Sequence, residues 1–531
     1  MPPKKKEETT TTTKSNGLAK KKTSSPAASS SLSATSILVA VIAFALGVLS
    51  PPIRHVATQL TFSSSATSSS SSSADVVKAP QQSSFSKLRL PPHTPCTSSN
   101  LANYLHDTPV PGLHIVCIEA LKLHSNDGEA IMYNDDDHDQ QEQRRRLLGE
   151  SNSLRFTFLT NSVKPKLYQR KKITASRSRD DDGGGLESID WNEVKQLLVQ
   201  ELRLMPEGPR QQPWAIFTPL GERIVGENDV VSRGGGPNNS DDITSSSSSN
   251  AHILQFLASS GMVLVFQGGN WRWPGVREGF QRSIELSPTL DFTDDDYSTE
   301  KRNITIETLS MTPLVVSIKG FLTEEECDHI TKTAGPRMEY SGVSLKDVDK
   351  GKAASNWRTS QSAFISSGGD PILTAIDHRT ASLSRVPKVH QEVLQVLRYG
   401  QHEKYDSHHD YFDPKDYQSD QNTLNLIQNG KKNRYATVFW YLTTVKEGGE
   451  TIFPHFGNKP LPRGYRHSDC SSGLKVKPQK GKVIIFYSLD ARGQMDPMSL
   501  HGACPVIGED DVKYAANKWI WNAPMGFTPR D

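Results

Sequence analysis

The segment YGQHEKYDSHHDYF, residues 399–412, contains the most informative residues of the sequence. His408 and Asp410 stand two positions apart in it, and His501 follows far downstream. Two imidazoles and one carboxylate can cover one face of an octahedral iron(II) and leave the opposite positions open for a chelating co-substrate and dioxygen. The chain has 16 histidines, so a lone His-x-Asp pair would be weak support. The prediction of an iron site at these three residues therefore depends on the surrounding strands.

Short apolar and β-branched runs around this segment predict β-strands. A strand leads into the ligand loop, and two ligands two positions apart would share one face of a strand. The predicted strands are residues 393–397, 436–445, 452–453, 482–489, 500–506 and 513–521. Short strands separated by turns, with few helical patterns, predict an α+β chain whose catalytic domain is a double-stranded β-helix (jelly roll) with flanking helices.

A co-substrate with two carboxylates, such as 2-oxoglutarate, needs a cation for the end that does not chelate the metal. Lys513, at the start of the last predicted strand, is the candidate, and Lys518 is the alternative. Lys513 follows His501 by twelve residues. The sequence therefore predicts a buried lysine in the same domain as the metal ligands.

Residues 308–524 resemble the catalytic domain of prolyl 4-hydroxylases of the plant and algal type. The likeness is carried by residues 320–327 (GFLTEEEC), 357–360 (WRTS), 399–412, 441–445 (YLTTV), 447–451 (EGGET), 473–478 (GLKVKP), 499–502 (SLHG), 504–505 (CP) and 517–520 (NKWI). Thr323 is predicted to be the N-cap of a helix. The spacing from His501 to Lys513 is longer than is usual in the family. We expect residues 507–512 to absorb the excess in a surface turn that leaves Lys513 in register.

The resemblance implies an oxidoreductase that converts peptidyl proline to 4-hydroxyproline while 2-oxoglutarate is decarboxylated to succinate and carbon dioxide, with ascorbate as reductant. The implied iron(II) ligands are His408, Asp410 and His501, which together with Lys513 form the implied catalytic set. The implied 2-oxoglutarate contacts are Lys513, Tyr399 and Thr451. Contacts to a proline-rich or collagen-like peptide are implied for Arg358, Glu392, Tyr405, Arg434 and Trp519. Flat aromatic side chains suit the polyproline II form of such a peptide. The same chemistry on a lysine or a small molecule, or a non-catalytic module that binds proline-rich chains, are the alternatives.

The N-terminal region predicts a membrane anchor. Lysines at 4–6 and 20–22 precede an uncharged stretch with an apolar centre at residues 37–49, which Pro51 and Pro52 end. About eighteen residues could be embedded, against the ~20 that a span needs, so the core of a signal peptide is the competing interpretation. We favour an uncleaved signal anchor at residues 37–53 with its basic flank in the cytosol. This predicts a single-pass type II protein of the endoplasmic reticulum or Golgi membrane, with the catalytic domain in the lumen.

Three further segments complete the predicted organisation. Residues 1–36 are predicted to be a disordered basic cytosolic tail, and residues 54–99 a serine-rich lumenal stem. Residues 100–305 predict a small α+β domain of unknown role with disordered insertions. Its predicted elements are strands at 112–118, 154–159, 214–217 and 262–266 and a helix at 191–205.

Composition excludes some classes of function. The net charge of +2 at pH 7 gives no reason to expect nucleic acid binding. Five cysteines are too few for a disulfide scaffold. Cys470 and Cys504 flank the distal-histidine strand and could pair in an oxidising lumen, or could be two buried thiols. The sequence does not show whether a partner subunit is required.

Overall fold

A computed structural model describes residues 90–122, 148, 151–162, 167–174, 186, 189–204, 213–226, 246–286 and 301–525. The predicted tail and signal anchor, residues 1–36 and 37–53, lie outside these residues, as does most of the predicted stem. Among the residues that are described, no helix combines the length and apolar character that crossing a bilayer requires.

The described chain consists of β-strands with a few helices between them. The strands are β1 (Leu113–Lys122), β2 (Ser151–Leu159), β3 (Leu167–Thr174), β4 (Ala215–Phe217), β5 (Arg223–Gly226), β6 (Met262–Phe266), β7 (Gln281–Leu286), β8 (Arg302–Met311), β9 (Leu314–Lys319), β10 (Glu339–Tyr340), β11 (Gln361–Ile365), β12 (Leu394–Tyr399), β13 (Tyr405–His408), β14 (Arg434–Tyr441), β15 (Thr451–Phe453), β16 (Leu474–Val476), β17 (Val483–Tyr487), β18 (His501–Ala503) and β19 (Lys513–Trp521). The α-helices are α1 (Ser98–Leu101), α2 (Trp191–Leu202), α3 (Ser246–Ser260), α4 (Glu324–Ala334), α5 (Pro371–Ser384) and α6 (Gln421–Leu426). Short 3-10 helices lie at Gly335–Arg337, Asp347–Asp349, Ala354–Asn356, Lys388–His390, Pro414–Asp416, Gln428–Gly430, Phe456–Asn458 and Pro497–Ser499.

These strands form three sheets, and the described chain is a mixed α/β structure. A six-stranded sheet has the order β3-β2-β1-β6-β4-β5, a nine-stranded sheet the order β10-β11-β12-β19-β14-β17-β9-β8-β7, and a four-stranded sheet the order β13-β18-β15-β16. Strands β12, β19, β14 and β17 of the large sheet and all four strands of the small sheet come from the region predicted to be a jelly roll. Apolar side chains from both of these sheets, including Tyr399, Phe453 and Phe486, form one buried cluster between them. The arrangement is consistent with a jelly roll.

Local sequence predicted most of these elements. β19 has the predicted bounds, and the other strands predicted near the ligands form with ends shifted by a few residues. Thr323 is the N-cap of α4, as predicted: its hydroxyl accepts from the Glu326 backbone nitrogen at 3.1 Å, and the Glu326 carboxylate accepts from the Thr323 nitrogen at 2.9 Å. Residues 507–512 form a largely exposed turn before β19, as predicted, so the extra length leaves Lys513 at the start of its strand.

The six-stranded and nine-stranded sheets share one hydrophobic core. A single cluster of buried side chains includes Phe266 at the end of β6, Trp271 and Trp273 after it, and Trp440 on β14. The boundary predicted between residues 305 and 308 falls inside β8, and both β7 and β8 pair into the nine-stranded sheet. The division of the chain into separate domains stays a prediction.

Two disulfides tie loops to strands. Cys470 pairs with Cys504, one of the two states that the sequence left open, and Cys96 pairs with Cys117 on β1. Cys327 on α4 is a buried free thiol. The Cys96–Cys117 bond therefore holds the segment before α1 on β1, and the Cys470–Cys504 bond holds the segment before β16 at the end of β18.

Candidate active site

The pairing of β13 with β18 brings the two predicted histidine ligands together. His408 ends β13, His501 begins β18, and the two residues are direct cross-strand partners. Gly502 allows this close approach, because a Cβ atom at that position would lie 3.0 Å from the Ser407 hydroxyl and from the Tyr405 carbonyl oxygen. Asp410 follows in a bend just beyond the end of β13.

The three predicted ligands form a cluster that can hold a metal ion. One ligand atom each from His408, Asp410 and His501 lies within 4.8 Å of the others. The Asp410 carboxylate is 3.7 Å from Nε2 of His408 and 3.6 Å from Nε2 of His501. His409 does not belong to the cluster, because its Nε2 hydrogen-bonds the Pro497 carbonyl at 3.0 Å. Among the described residues, no other group of three or more potential ligands of this kind is found.

The backbone fixes which ring nitrogen each histidine presents. Nδ1 of His408 lies 2.8 Å from the Asp406 carbonyl, and Nδ1 of His501 lies 2.9 Å from the Ser499 carbonyl. A carbonyl only accepts, so both Nδ1 atoms carry the proton and both Nε2 atoms have free lone pairs. The Thr437 hydroxyl donates to Asp410 Oδ2 at 2.5 Å. Hydrogen bonds of this kind orient the ligands of metal sites.

The electrostatic environment also favours the protonation states of His408 and Asp410 that bind a metal ion. Burial, reinforced by the neighbouring His501, holds the pKa of His408 below its ordinary value, which keeps the ring neutral at pH 7. Burial opposes ionisation of Asp410, but the two histidines and Arg434 outweigh it and lower the pKa of that carboxyl. Neutral imidazoles with an ionised carboxylate are the donor set of iron(II) oxygenase sites. The residues present therefore fit iron(II).

Lys513 is a buried ammonium without a hydrogen-bond partner among the described residues. It is 0% exposed, and its Nζ lies 5.0 Å from the ring centre of Tyr399, its direct partner on β12. The rings of Phe439 and Tyr441 follow at 5.7 and 5.8 Å. Burial lowers the pKa of Lys513 to about 7, although Glu450 opposes the shift. Such a group requires a counter-charge, and a ligand carboxylate would supply it.

Lys518, the alternative to Lys513, is already paired. Its Nζ lies 2.6 Å from the Asp377 carboxylate of α5, and both side chains are buried. Successive residues of a strand face opposite sides of the sheet, so positions 513 and 518 of β19 point in opposite directions. Ala515, on the side of Lys513, belongs to the cluster between the two sheets, whereas Ala516 and Ile520 belong to the other core.

Thr451 contacts Tyr441, one of the rings around Lys513, and its strand pairs with the strand of His501. It is buried on β15, and its backbone pairs with Ala503 of β18, two positions from His501. The Tyr441 hydroxyl donates to the Thr451 hydroxyl at 2.7 Å. The structure therefore brings Tyr399, Thr451 and Lys513 to the same enclosed side as the metal ligands.

Three of the five predicted peptide contacts form one group. Arg434 holds Glu392 through two hydrogen bonds, of 2.6 and 3.0 Å, and its guanidinium lies 3.5 Å from the ring centre of Trp519. Trp521 also donates to Glu392, at 2.6 Å. Nε1 of Trp519 is buried and has no partner among the described residues.

The other two predicted peptide contacts adjoin a metal ligand. The ring of Tyr405 stacks on His408 with 3.7 Å between ring centres, and the Arg358 guanidinium lies 4.7 Å from the Tyr405 ring centre. Nε of Arg358 donates to the Ser360 hydroxyl at 2.8 Å, while its buried Nη2 has no partner in the described part of the chain.

Sequence reasoning missed two side chains that support this site, Thr437 and Tyr441. Both lie on β14 and on the same side of it, four positions apart, with Phe439 between them. The sequence does indicate a supporting role for Thr437, because it is a polar residue inside an otherwise apolar run, and a buried hydroxyl needs a partner. Its partner, Asp410, becomes visible only when β14 is placed beside the ligand loop.

A family model and a solved structure show what this part of the chain is similar to. The family model of the 2OG-Fe(II) oxygenase superfamily matches residues 394–521. Among solved structures, viral collagen prolyl hydroxylase from Paramecium Bursaria Chlorella virus-1, with 2OG, is 26% identical over 39% of this chain and 95% of its own, with a TM-score of 0.28.

Two curated relatives decide the family. Prolyl 4-hydroxylase 2 of Arabidopsis thaliana is 40% identical over 221 residues, which cover 40% of this chain and 69% of the relative. The chain belongs to the prolyl 4-hydroxylase family. Probable prolyl 4-hydroxylase 6 of the same plant is 40% identical over 218 residues, covering 40% of this chain and 71% of that relative. The resemblance that the sequence motifs indicated is thus confirmed, and the family's 2-oxoglutarate and iron chemistry has a matching site in this chain.

Proposed function

We propose that this protein uses iron(II) and 2-oxoglutarate to hydroxylate peptidyl proline to 4-hydroxyproline. The observation that carries the proposal is the buried, unpartnered ammonium of Lys513 on the same enclosed side as the cluster of His408, Asp410 and His501. A dicarboxylate satisfies both features, because one end can chelate a metal while the other pairs with the lysine. Membership of the prolyl 4-hydroxylase family favours proline over lysine or a small molecule as the target.

Each residue of the site has a part in this reaction. His408, Asp410 and His501 would hold iron(II), which when bound supplies the oxygen activation. Lys513 would neutralise the far carboxylate of 2-oxoglutarate, and the Thr451 hydroxyl, which accepts from Tyr441, would donate to that carboxylate. One oxygen atom of dioxygen enters proline, and the other enters succinate as carbon dioxide leaves. Ascorbate serves as the reductant that keeps the metal active.

The predicted peptide contacts suit an extended proline-rich or collagen-like segment. A polyproline II segment makes no internal hydrogen bonds, so its carbonyl groups are free to accept. Arg358 Nη2 and Trp519 Nε1 are buried donors without a partner among the described residues, and we assign them to such carbonyls. We assign Glu392 to holding Arg434 in place, since both oxygens of its carboxylate bind that guanidinium. Tyr405 would form the wall between the peptide and His408.

The decisive experiment supplies the full chain with iron(II), 2-oxoglutarate, ascorbate and a proline-rich peptide. We expect succinate release that depends on peptide, a gain of one oxygen in peptide mass, and 4-hydroxyproline after hydrolysis. Succinate without a change in the peptide would contradict proline as the target and favour lysine or a small molecule. A folded, metal-loaded chain that binds the peptide but releases no succinate would favour a binding module.

We also propose that residues 37–53 anchor the protein in the endoplasmic reticulum or Golgi membrane, between a cytosolic tail (1–36) and a lumenal stem (54–99). The oxidising lumen would suit the disulfides Cys96–Cys117 and Cys470–Cys504, since such bonds are rare in the cytosol. In sealed microsomes, added protease should remove only the tail and leave the rest intact until detergent is added. Complete digestion without detergent would contradict a lumenal catalytic region.

A further inference from the structure

The loop of residues 488–500, which connects β17 to β18 and ends at His501, lies against the six-stranded sheet. The backbone nitrogen of Gly268, just beyond β6, donates to the Ala491 carbonyl at 2.9 Å. A Cβ atom at Gly268 would lie 2.7 Å from the Gly493 Cα, and one at Gly112, just before β1, would lie 2.5 Å from Arg492 Cγ. The ends of β1 and β6 therefore leave no room for this loop to move toward them.

The segment that follows β6 also contacts the strand that leads into this loop and the neighbouring strand β14. The hydroxyl of Tyr487, the last residue of β17, accepts from the Trp273 backbone nitrogen at 3.0 Å. The Arg272 guanidinium lies 4.7 Å from the Tyr487 ring centre. The Tyr435 hydroxyl of β14 donates to the Trp271 carbonyl at 2.5 Å. Consecutive residues 271–273 are thus attached to both strands of the β14–β17 pair.

A short series of hydrogen bonds continues from the loop to the metal ligand. The Asp496 carboxylate accepts from the Met498 nitrogen at 2.9 Å. The Asp496 carbonyl accepts from the Ser499 nitrogen at 3.0 Å and from its hydroxyl at 2.7 Å. The Ser499 carbonyl then accepts from Nδ1 of His501. The loop therefore supplies the hydrogen bond that orients the His501 ring, beside the packing of that ring on Phe486.

We propose that the six-stranded sheet positions His501 for metal binding by fixing the loop of residues 488–500, with Gly268 as the contact point and Arg272 as the positioning residue. This inference rests on the proposed metal site. It gives the region predicted as residues 100–305 a part in building the active site, in addition to any part in spacing that site from a membrane.

The test introduces one methyl group at the contact. In the full chain, Gly268→Ala would push against Gly493, whereas a Cβ at Gly335 would meet nothing within 4 Å, so Gly335→Ala is the matched control. Cobalt(II) is the probe, because its visible absorption reports ligand geometry. We expect Gly268→Ala to weaken cobalt(II) binding by roughly 10- to 100-fold, the range for residues that orient metal ligands, and to alter the spectrum. Gly335→Ala should bind as the unmodified protein does.

Arg272 supplies a second, independent pair of variants. Arg272→Lys keeps a cation over the Tyr487 ring and should retain more cobalt(II) affinity than Arg272→Met. This pair carries the test if Gly268→Ala does not fold. Unchanged cobalt(II) affinity and spectrum in Gly268→Ala and Arg272→Met, with only a lower melting temperature, would overturn the inference and leave the metal site intact. Failure of the unmodified protein to bind cobalt(II) would overturn the proposed function as well.

Discussion

Replacing His501 with alanine should lower prolyl hydroxylation by roughly 1,000-fold or more, because each 1.4 kcal/mol of lost transition-state stabilisation lowers the rate tenfold and a bound metal supplies several kcal/mol. The ring lies 3.6 Å from the Asp410 carboxylate and directly opposite His408, so its loss opens one side of the ligand cluster. The measurements are 4-hydroxyproline formation and metal content after dialysis. Both should fall together.

His409→Ala is the informative control for that variant. His409 adjoins His408 in the sequence but binds the Pro497 carbonyl, so its removal should leave the metal content unchanged and cost less than about tenfold in rate. If His409→Ala lost the metal and His408→Ala kept it, the assignment of the ligand pair would be wrong. Circular dichroism of each variant would establish that the chain is folded before either result is interpreted.

Replacing Lys513 with methionine should weaken 2-oxoglutarate binding by about 100-fold, since truncating one partner of a buried charge pair costs roughly 2–5 kcal/mol. The ammonium is completely buried and, among the described residues, nothing neutralises it by hydrogen bonding. Titration calorimetry of 2-oxoglutarate into the metal-loaded protein measures the loss. The matched control is Lys518→Met, which should leave this affinity within about twofold because Lys518 faces Asp377 in the other core.

The same substitution should stabilise the empty protein. Burial lowers the pKa of Lys513 to about 7 in the folded chain, whereas the unfolded lysine titrates near 10.4. Between these values the unfolded state binds more protons, so the free energy of unfolding rises with pH. Lys513→Met should therefore melt higher than the unmodified protein at pH 7, and the difference should shrink as the pH approaches 10. Lys518→Met should melt lower, because it leaves Asp377 buried without its partner.

Much of this site follows from short-range patterns in the sequence. The apolar runs predicted β12, β14 and β19, and the spacing of His408 and Asp410 pointed to two of the three proposed ligands. Alternation along β19 separates Lys513 from Lys518, because the side that a residue faces depends only on its parity in the strand. Each of these features depends only on residues that are close together in the sequence.

The remaining features depend on contacts between distant segments. Thr437 supports Asp410 only because β14 lies beside the ligand loop, and the pairing of Cys96 with Cys117 cannot be deduced from the positions of five cysteines. Trp271 packs in the same core as residues of β14 and β17, which are more than 160 positions later in the sequence. No periodicity encodes such contacts, and they determine how the N-terminal strands meet the site.

Because the six-stranded and nine-stranded sheets share one core, the region around the active site is not expected to fold well when it is expressed alone. A chain cut near residue 308 would lose Trp271, Trp273 and β7, and it would present the apolar residues that these now cover to water. Large exposed apolar patches cause aggregation. Grafting or expression of this catalytic region should therefore keep residues 271–286 with it.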